Sequence, residues 1–438
     1  MLLAVECLLR RSQSPSRSLR QVNSWQLKST QHQRAKLTKG FAIRIWKDIF
    51  VEKNQEDWRS SITQWITESA SNLDDFVDVR IRKIRKRWGR SGVPKIQPYT
   101  GYQTNQATYL HGRILSNPPL DPDWSKNDWW DALADTYRRF ASDEVPGVKI
   151  QASFDGQTIE CVSDAEGYFH AAIASKSPST SAPFWSHAHL KIIDNELTTP
   201  DESHTIAKVL SPSETASFMV ISDVDDTIMH TGATELLTMA KLTFFNNAKA
   251  RLPLDGVAKL YQLLQRGGDP AGQPVNPVFY VSSSPWNLYD LLEDFLELND
   301  IPDGPILLRD LGFDRNKFVS GGHDHKLDKI RLLMKAYSGM PVLLFGDSGQ
   351  EDARLYSTAA EEFGDQIRAI FIRDIDPDVD SKYDSDVAPF IARSEQAGVP
   401  MKLIQDSNEA AAFIEDLGLL PKSTRPLIAS AVKRDVAR

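Results

Sequence analysis

Six short apolar runs, FMVIS, PVFYVS, GPILL, PVLLF, RAIFI and MKLI, recur across residues 216–420 with amphipathic helical patterns between them. Runs this apolar have no polar face to turn toward water, so they predict strands buried on both sides. Strand alternating with helix is the pattern of an α/β domain built on a doubly wound parallel sheet. In such sheets ligands bind beyond the carboxyl ends of the strands. The residues that end each run are therefore the ones that matter for function.

The first run, Phe218 to Ile221, is followed after Ser222 by Asp223, Val224, Asp225, Asp226 and Thr227. Carboxylates at i and i+2 leave a strand end on the same side and converge on one small volume. Like charges that close repel unless a cation or a chemical task holds them there. An acidic loop that binds nothing is the competing reading, and Asp-x-Asp-x-Thr alone does not separate the two. The second run ends in Ser282, Ser283 and Ser284, before Pro285. Proline suits the first position of a helix and Ser284 suits its N-cap, so a helix is expected to begin there. Capping accounts for Ser284 but not for Ser282, whose hydroxyl beside a helix N-terminus suits an anion.

In SGGHDHKLDKIRLLMKAYSG, Leu327, Ile330, Met334 and Tyr337 form an apolar helical stripe. That places Lys326 at the helix start, where the macrodipole disfavours a cation. An anionic partner for Lys326 is implied; a surface lysine is the alternative, and Lys329, one turn on, is the weaker candidate. PVLLF ends in Gly346, Asp347, Ser348, Gly349, Gln350, Glu351 and Asp352. The glycines permit a tight turn, and Asp347 with the first-strand aspartates could hold a hard, oxygen-preferring cation such as Mg²⁺.

The order carboxylate pair, hydroxyl, lysine, acid is that of the haloacid dehalogenase (HAD) superfamily, which the chain resembles at all four stretches. More narrowly, SDVDDTIMHTGAT, YVSSSPWNLYDLLEDFL, LLRDLGF, HKLDKI and GDSGQEDARLY resemble the phosphatidate phosphatase family named for an actin-patch-associated yeast protein. IQPYTGYQ, LHGRIL and DAEGYF resemble that family's leading β domain, so the likeness covers residues 94–375. The resemblance implies a HAD-like sheet in which Asp223 attacks phosphorus and Asp225 is the general acid and base. It implies Mg²⁺ held by Asp223, the Asp225 carbonyl and Asp347, with Asp352, or alternatively Glu351, orienting a water on the metal. Ser282, Ser283 and Lys326 would hold the phosphoryl oxygens, and Thr227 would steady the first loop.

The implied reaction converts phosphatidate to diacylglycerol and phosphate. The short span from Thr227 to Gly256 leaves little room for a cap over the site, which by family analogy favours a lipid phosphate. A HAD-type phosphatase for a phosphoprotein or soluble ester is the alternative. A non-catalytic membrane adaptor is a third reading, opposed by the Asp223/Asp225 pair, which a binding module does not need.

The rest of the chain bounds this picture. At 438 residues and 41% hydrophobic, it can bury more than one core. A net charge of −8 does not suggest nucleic-acid binding overall, although local basic stretches exist. Cys7 and Cys161 form no disulfide framework, which fits a reducing, cytoplasmic setting. No apolar run reaches the roughly 18 residues a membrane span needs. Residues 1–50 are basic and serine-rich; a transit peptide, a disordered arm and sequence upstream of the true start all fit. Over residues 51–92, Trp58, Ile62, Trp65, Leu73, Val77, Ile81, Ile84 and Trp88 make an amphipathic seam ending in VRIRKIRKRWGR. That helix either packs on the protein or lies on an anionic membrane surface.

Residues 93–215 alternate like strands between turn signals and predict a small β-sandwich-like domain, with Asp164–Gly167 as a hairpin turn and a tryptophan-rich helical excursion around Trp124, Trp129 and Trp130. His187 and His189 share one strand face without a third ligand. Pro377–Asp386 is expected as a polar loop, and residues 421–438 as a flexible tail.

Overall fold

The computed structural model describes residues 93–116, 144–164, 166–175, 183–193, 203–224, 227–228, 254–309, 324–349, 351–375 and 382–437. The N-terminal extension, the basic amphipathic seam, the tryptophan-rich excursion and Asp225 lie outside them.

The six apolar runs form one fully parallel sheet. Its strands are β9 (Met219–Asp223), β10 (Val278–Pro285), β11 (Ile306–Arg309), β12 (Val342–Asp347), β13 (Ile367–Arg373) and β14 (Met401–Ile404), in the order β11-β10-β9-β12-β13-β14. The chain steps outward from β9 to β10 and β11, then returns to the other side of β9. Strand order therefore reverses at β9, and the crevice this opens lies above its carboxyl end. Asp223 ends that central strand, flanked by Ser282 on β10 and Asp347 on β12.

Both faces of the sheet are covered. Val220, Tyr280, Leu343, Phe345 and Phe371 pack with α1 (Val257–Gln265), α2 (Tyr289–Leu298), α6 (Ser407–Asp416) and α7 (Arg425–Val436). Met219, Ile221, Phe279, Leu344 and Ile370 pack with α3 (Asp324–Ala336), α4 (Asp352–Phe363) and α5 (Lys382–Gln396). Odd and even positions of one strand thus enter different cores, which is why these runs are apolar throughout instead of alternating.

Two expectations fail here. Residues 421–438 include helix α7, which buries Ile428, Ala431 and Val432, while Asp435 accepts a hydrogen bond from Gly256 N at 2.9 Å. The segment's charge disguises a narrow apolar stripe that α1 and α6 cover. Likewise, the second half of the expected Pro377–Asp386 loop belongs to α5, whose Val387 anchors it in the core.

Residues 95–210 form an eight-stranded sheet. It comprises β1 (Lys95–Pro98), β2 (Gly101–Gln103), β3 (Ala107–Leu115), β4 (Lys149–Phe154), β5 (Gln157–Val162), β6 (Tyr168–Ala174), β7 (Trp185–Ile193) and β8 (His204–Leu210). The order is β1-β3-β2-β8-β7-β4-β5, with β6 on β3, and every pairing is antiparallel except that of β2 with β8. Instead of a sandwich of two separate sheets, one sheet curls around a single core of Leu110, Ile114, Ile150, Phe169, Leu190 and Val209. Asp164–Gly167 is a turn, with Asp164 Oδ1 accepting from Glu166 N and Tyr168 N, but its strands do not pair: β5 joins β4 and β6 joins β3. The two-residue hairpin is Asp155-Gly156 between β4 and β5, where both residues have positive φ, 48° and 66°.

The two sheets share their packing. Tyr99 stacks on Trp286 and Tyr289, with ring centroids 5.0 and 4.1 Å away. Thr100 N donates to the Tyr289 hydroxyl at 2.8 Å, Gln97 bonds Asp290, and the Tyr337 hydroxyl donates to Gln103 O at 2.8 Å. Because Trp286 and Tyr289 follow directly on β10, the curled sheet buttresses the strand that carries Ser282.

Candidate active site

Asp223 ends β9, while Asp347 ends β12 and Asp352 opens α4 in the same distant stretch, yet each offers a carboxylate oxygen within 4.8 Å of the others, and all three are buried. Lys326 is buried among them. Its Nζ lies 2.8 Å from Asp223 Oδ1 and 2.8 Å from Asp352 Oδ1. The sequence placed this lysine at a helix start and implied an anionic partner; two carboxylates fill that part. Burial opposes the ammonium's charge, but Asp223, Asp352 and Asp347 outweigh it and hold the group above the ordinary lysine range. Three carboxylates against one ammonium leave an excess negative charge out of water, a costly arrangement without a counterion. All the donors are hard oxygens. The set therefore fits a divalent cation that takes oxygen ligands, such as Mg²⁺.

The acids are held by their own loops. Asp347 Oδ1 accepts from Gly349 N at 2.8 Å, and Asp352 Oδ2 accepts from Asp347 N at 3.3 Å. Gly346 is needed for closeness, not for the expected tight turn: a Cβ there would stand 2.7 Å from both Cβ and Oδ2 of Asp352. Glu351, the alternative to Asp352, instead bonds Arg354 at the surface, 2.8 Å from its Nε. Thr227 Oγ1 approaches Asp223 Oδ2 at 3.5 Å.

Ser282 is fully buried, and its hydroxyl accepts from Ser284 N at 2.9 Å. The helix expected to start at Pro285 does not: β10 runs through Pro285, a 3₁₀ turn spans Trp286–Leu288, and α2 begins at Tyr289 without a side-chain cap. Ser284 is thus a strand residue whose N–H donates to Ser282, not a helix cap. Ser283 Oγ is buried with no hydrogen-bond partner among the described residues, leaving it available to a ligand. His187 and His189 are both exposed on β7, remote in sequence from any described acid cluster.

Residues 218–374 match the family model of the phosphatidate phosphatase APP1 catalytic domain. This segment is similar to that catalytic domain. Within the match lie Asp223, Thr227, Ser282, Ser283, Lys326, Asp347 and Asp352, every described residue of the expected site. Over 189 residues the chain is 33% identical to Phosphatidate phosphatase APP1 of Saccharomyces cerevisiae, covering 41% of this chain and 30% of that protein. It is 25% identical over 158 residues to an uncharacterized protein of Schizosaccharomyces pombe, 36% of this chain and 25% of that one. The chain thus spans under a third of either relative's length. A solved carbohydrate acetylesterase from Xanthomonas citri overlays 78% of this chain and 74% of its own at 10% identity and a TM-score of 0.29, too low to imply a common fold.

Two residues bearing on the site carry little sequence signal. Ser222 is the lone polar residue of its run, and its hydroxyl donates to Asp223 O at 2.6 Å. Tyr261, on the buried face of α1, stands 2.7 Å from Ser222 Oγ. Ser222 was readable as an anomaly in an apolar run; Tyr261 looks like any core aromatic.

Proposed function

We propose that this chain is a Mg²⁺-dependent phosphatidate phosphatase with a HAD-like catalytic sheet, releasing diacylglycerol and phosphate. The observation that supports this most is the buried Lys326 bridging Asp223 and Asp352 beside Asp347, within a segment similar to the APP1 catalytic domain. In this reading Asp223 attacks phosphorus through its carboxylate, forming an aspartyl-phosphate and expelling the diacylglycerol oxygen. Asp225, outside the described residues, gives that oxygen its proton and then takes one from the water that cleaves the intermediate. Lys326, Ser282 and Ser283 hold the phosphoryl oxygens through the in-line transfer, and Thr227 steadies Asp223. Asp223, Asp347 and Asp352, with the Asp225 carbonyl, would hold Mg²⁺, which when bound neutralises charge on the transferring phosphoryl group.

We infer a cytoplasmic protein that meets its lipid at the membrane surface. No described helix is long and apolar enough to cross a membrane. The basic run in residues 79–90, outside the described residues, supplies the membrane contact, each Lys or Arg contributing about 1 kcal/mol near an anionic surface. Replacing Arg82, Lys83, Arg85 and Lys86 with Gln should weaken binding to anionic vesicles while sparing turnover of a soluble ester.

A phosphate-release screen over phosphatidate, lysophosphatidate, phosphopeptides and soluble esters, with and without Mg²⁺, tests the assignment. Preference for phosphatidate in Mg²⁺ supports it. A phosphopeptide or soluble ester turned over far faster would move the enzyme to the alternative substrate class, and no turnover at all would sink the enzyme reading.

A further inference from the structure

The carboxylate of Asp223 is held from one side by Lys326 and Thr227, but its backbone is held from the other by a pair that the phosphatase reading does not use. Ser222 and Tyr261 are both excluded from water, packed among Val220, Val224, Leu260, Leu264 and Phe345. Ser222 Oγ donates to Asp223 O at 2.6 Å. A serine has one hydroxyl proton, so the 2.7 Å contact with Tyr261 must be a hydrogen bond donated by the phenol. The result is a directed relay, Tyr261 to Ser222 to the Asp223 carbonyl. Burial raises the Tyr261 phenol above its ordinary range, with the Ser222 bond opposing and the Asp223 charge adding to the rise, so its proton stays in place for donation.

Two hydroxyls inside an otherwise apolar cluster are disfavoured unless each is paired, and here both converge on a single peptide. That peptide is where β9 leaves the sheet, the point at which ladder hydrogen bonds stop defining its plane. We propose that Tyr261 and Ser222 are positioning residues: by fixing the Asp223 peptide they set the direction of its carboxylate for in-line attack. This inference rests on Asp223 being the nucleophile. Attack requires the reacting atoms to be held close to the productive geometry, so loosening the peptide lowers the chemical step more than binding.

Tyr261→Phe removes only the hydroxyl and keeps the ring, whose centroid lies 5.3 Å from that of Phe345. With p-nitrophenyl phosphate as substrate, kcat should fall about tenfold, the scale of one hydrogen bond, with KM essentially unchanged. Ser222→Ala should do the same, and the double variant should be no worse than Ser222→Ala alone, because both break one relay. A second readout is ¹⁹F NMR of beryllium trifluoride bound with Mg²⁺, which reports the aspartyl adduct directly. Its resonances should shift, and its affinity should fall, in Tyr261→Phe. A folded Tyr261→Phe with wild-type kcat and an unaltered adduct spectrum overturns the proposal, as does a loss confined to KM. Should Tyr261→Phe fail to fold by circular dichroism, Ser222→Ala, a smaller change, decides on the same two criteria. If the wild-type protein hydrolyses no phosphomonoester, the phosphatase reading fails, while the adduct spectra still decide the relay.

Discussion

Lys326 Nζ lies 2.8 Å from Asp223 Oδ1, and both side chains are shut off from water. The lysine therefore has two tasks: it neutralises part of the carboxylate cluster, and it holds the Asp223 carboxylate in place. Removing one partner of a buried pair strands the other charge, which costs about 3–5 kcal/mol. Lys326→Met should lower stability by that order and abolish turnover. The folded ammonium titrates above the ordinary lysine value, so its stabilisation is complete below that value and is lost only as pH rises through the higher folded one. The stability gap between wild type and Lys326→Met in chemical denaturation should thus stay flat from pH 6 to about 9. A gap that closes within that window would mean the ammonium is not held this way.

Gly346 gives a sharper test of the acid cluster because the substitution touches no charge. A methyl group at this position would meet Asp352 at 2.7 Å, so Gly346→Ala must push that carboxylate away from Lys326. Turnover should drop by about tenfold or more, with a raised Mg²⁺ requirement, in a protein that remains folded. Unchanged Mg²⁺ dependence would show that Asp352 takes no part in the site.

The junction between the curled and parallel sheets predicts shared cooperativity. Tyr289→Phe leaves Thr100 N without its buried acceptor, which should cost about 1–3 kcal/mol. Because Tyr99 stacks on Trp286 and Tyr289, tyrosine fluorescence and far-UV circular dichroism should still report a single thermal transition. Two separated transitions would show that the sheets unfold independently.

Cys161 offers a check on the curled sheet. Burial pushes its thiol up to about 11, so little thiolate exists at neutral pH. In a Cys7→Ser background, alkylation by iodoacetamide should be slow at pH 7.5 and accelerate steadily toward pH 11. Rapid labelling at neutral pH would contradict the packing of β5.

The parallel sheet was legible because its inner strands are buried on both faces and end abruptly in polar residues, so the runs and their carboxyl ends stand out together. Lys326 was legible for a related reason: a cation at a helix start needs an anionic partner, and Asp223 and Asp352 supply it. What could not be read is whatever depends on contacts between distant segments. The terminal helix α7 has a stripe of three buried residues among charges, and only α1 and α6 give it a place to dock. Asp164–Gly167 has the turn chemistry of a hairpin, but the sheet's curl sends its two strands to different partners. The same holds for Ser284, whose local preference for a cap is overridden by the extension of β10 to Pro285. Tyr261 carries no local sign of its bond to Ser222 because the relay exists only once α1 packs on β9.

Asp223 is expected to become covalently phosphorylated during turnover of a lipid phosphate. Acid quench of the protein with ³²P-phosphatidate and Mg²⁺, followed by peptide mapping, tests it directly. Label should appear on the peptide containing Asp223, vanish on hydroxylamine treatment as an acyl phosphate does, and be absent from Asp223→Asn. Phosphate release by an Asp223→Asn protein at the wild-type rate, or label recovered on any other residue, would contradict the account.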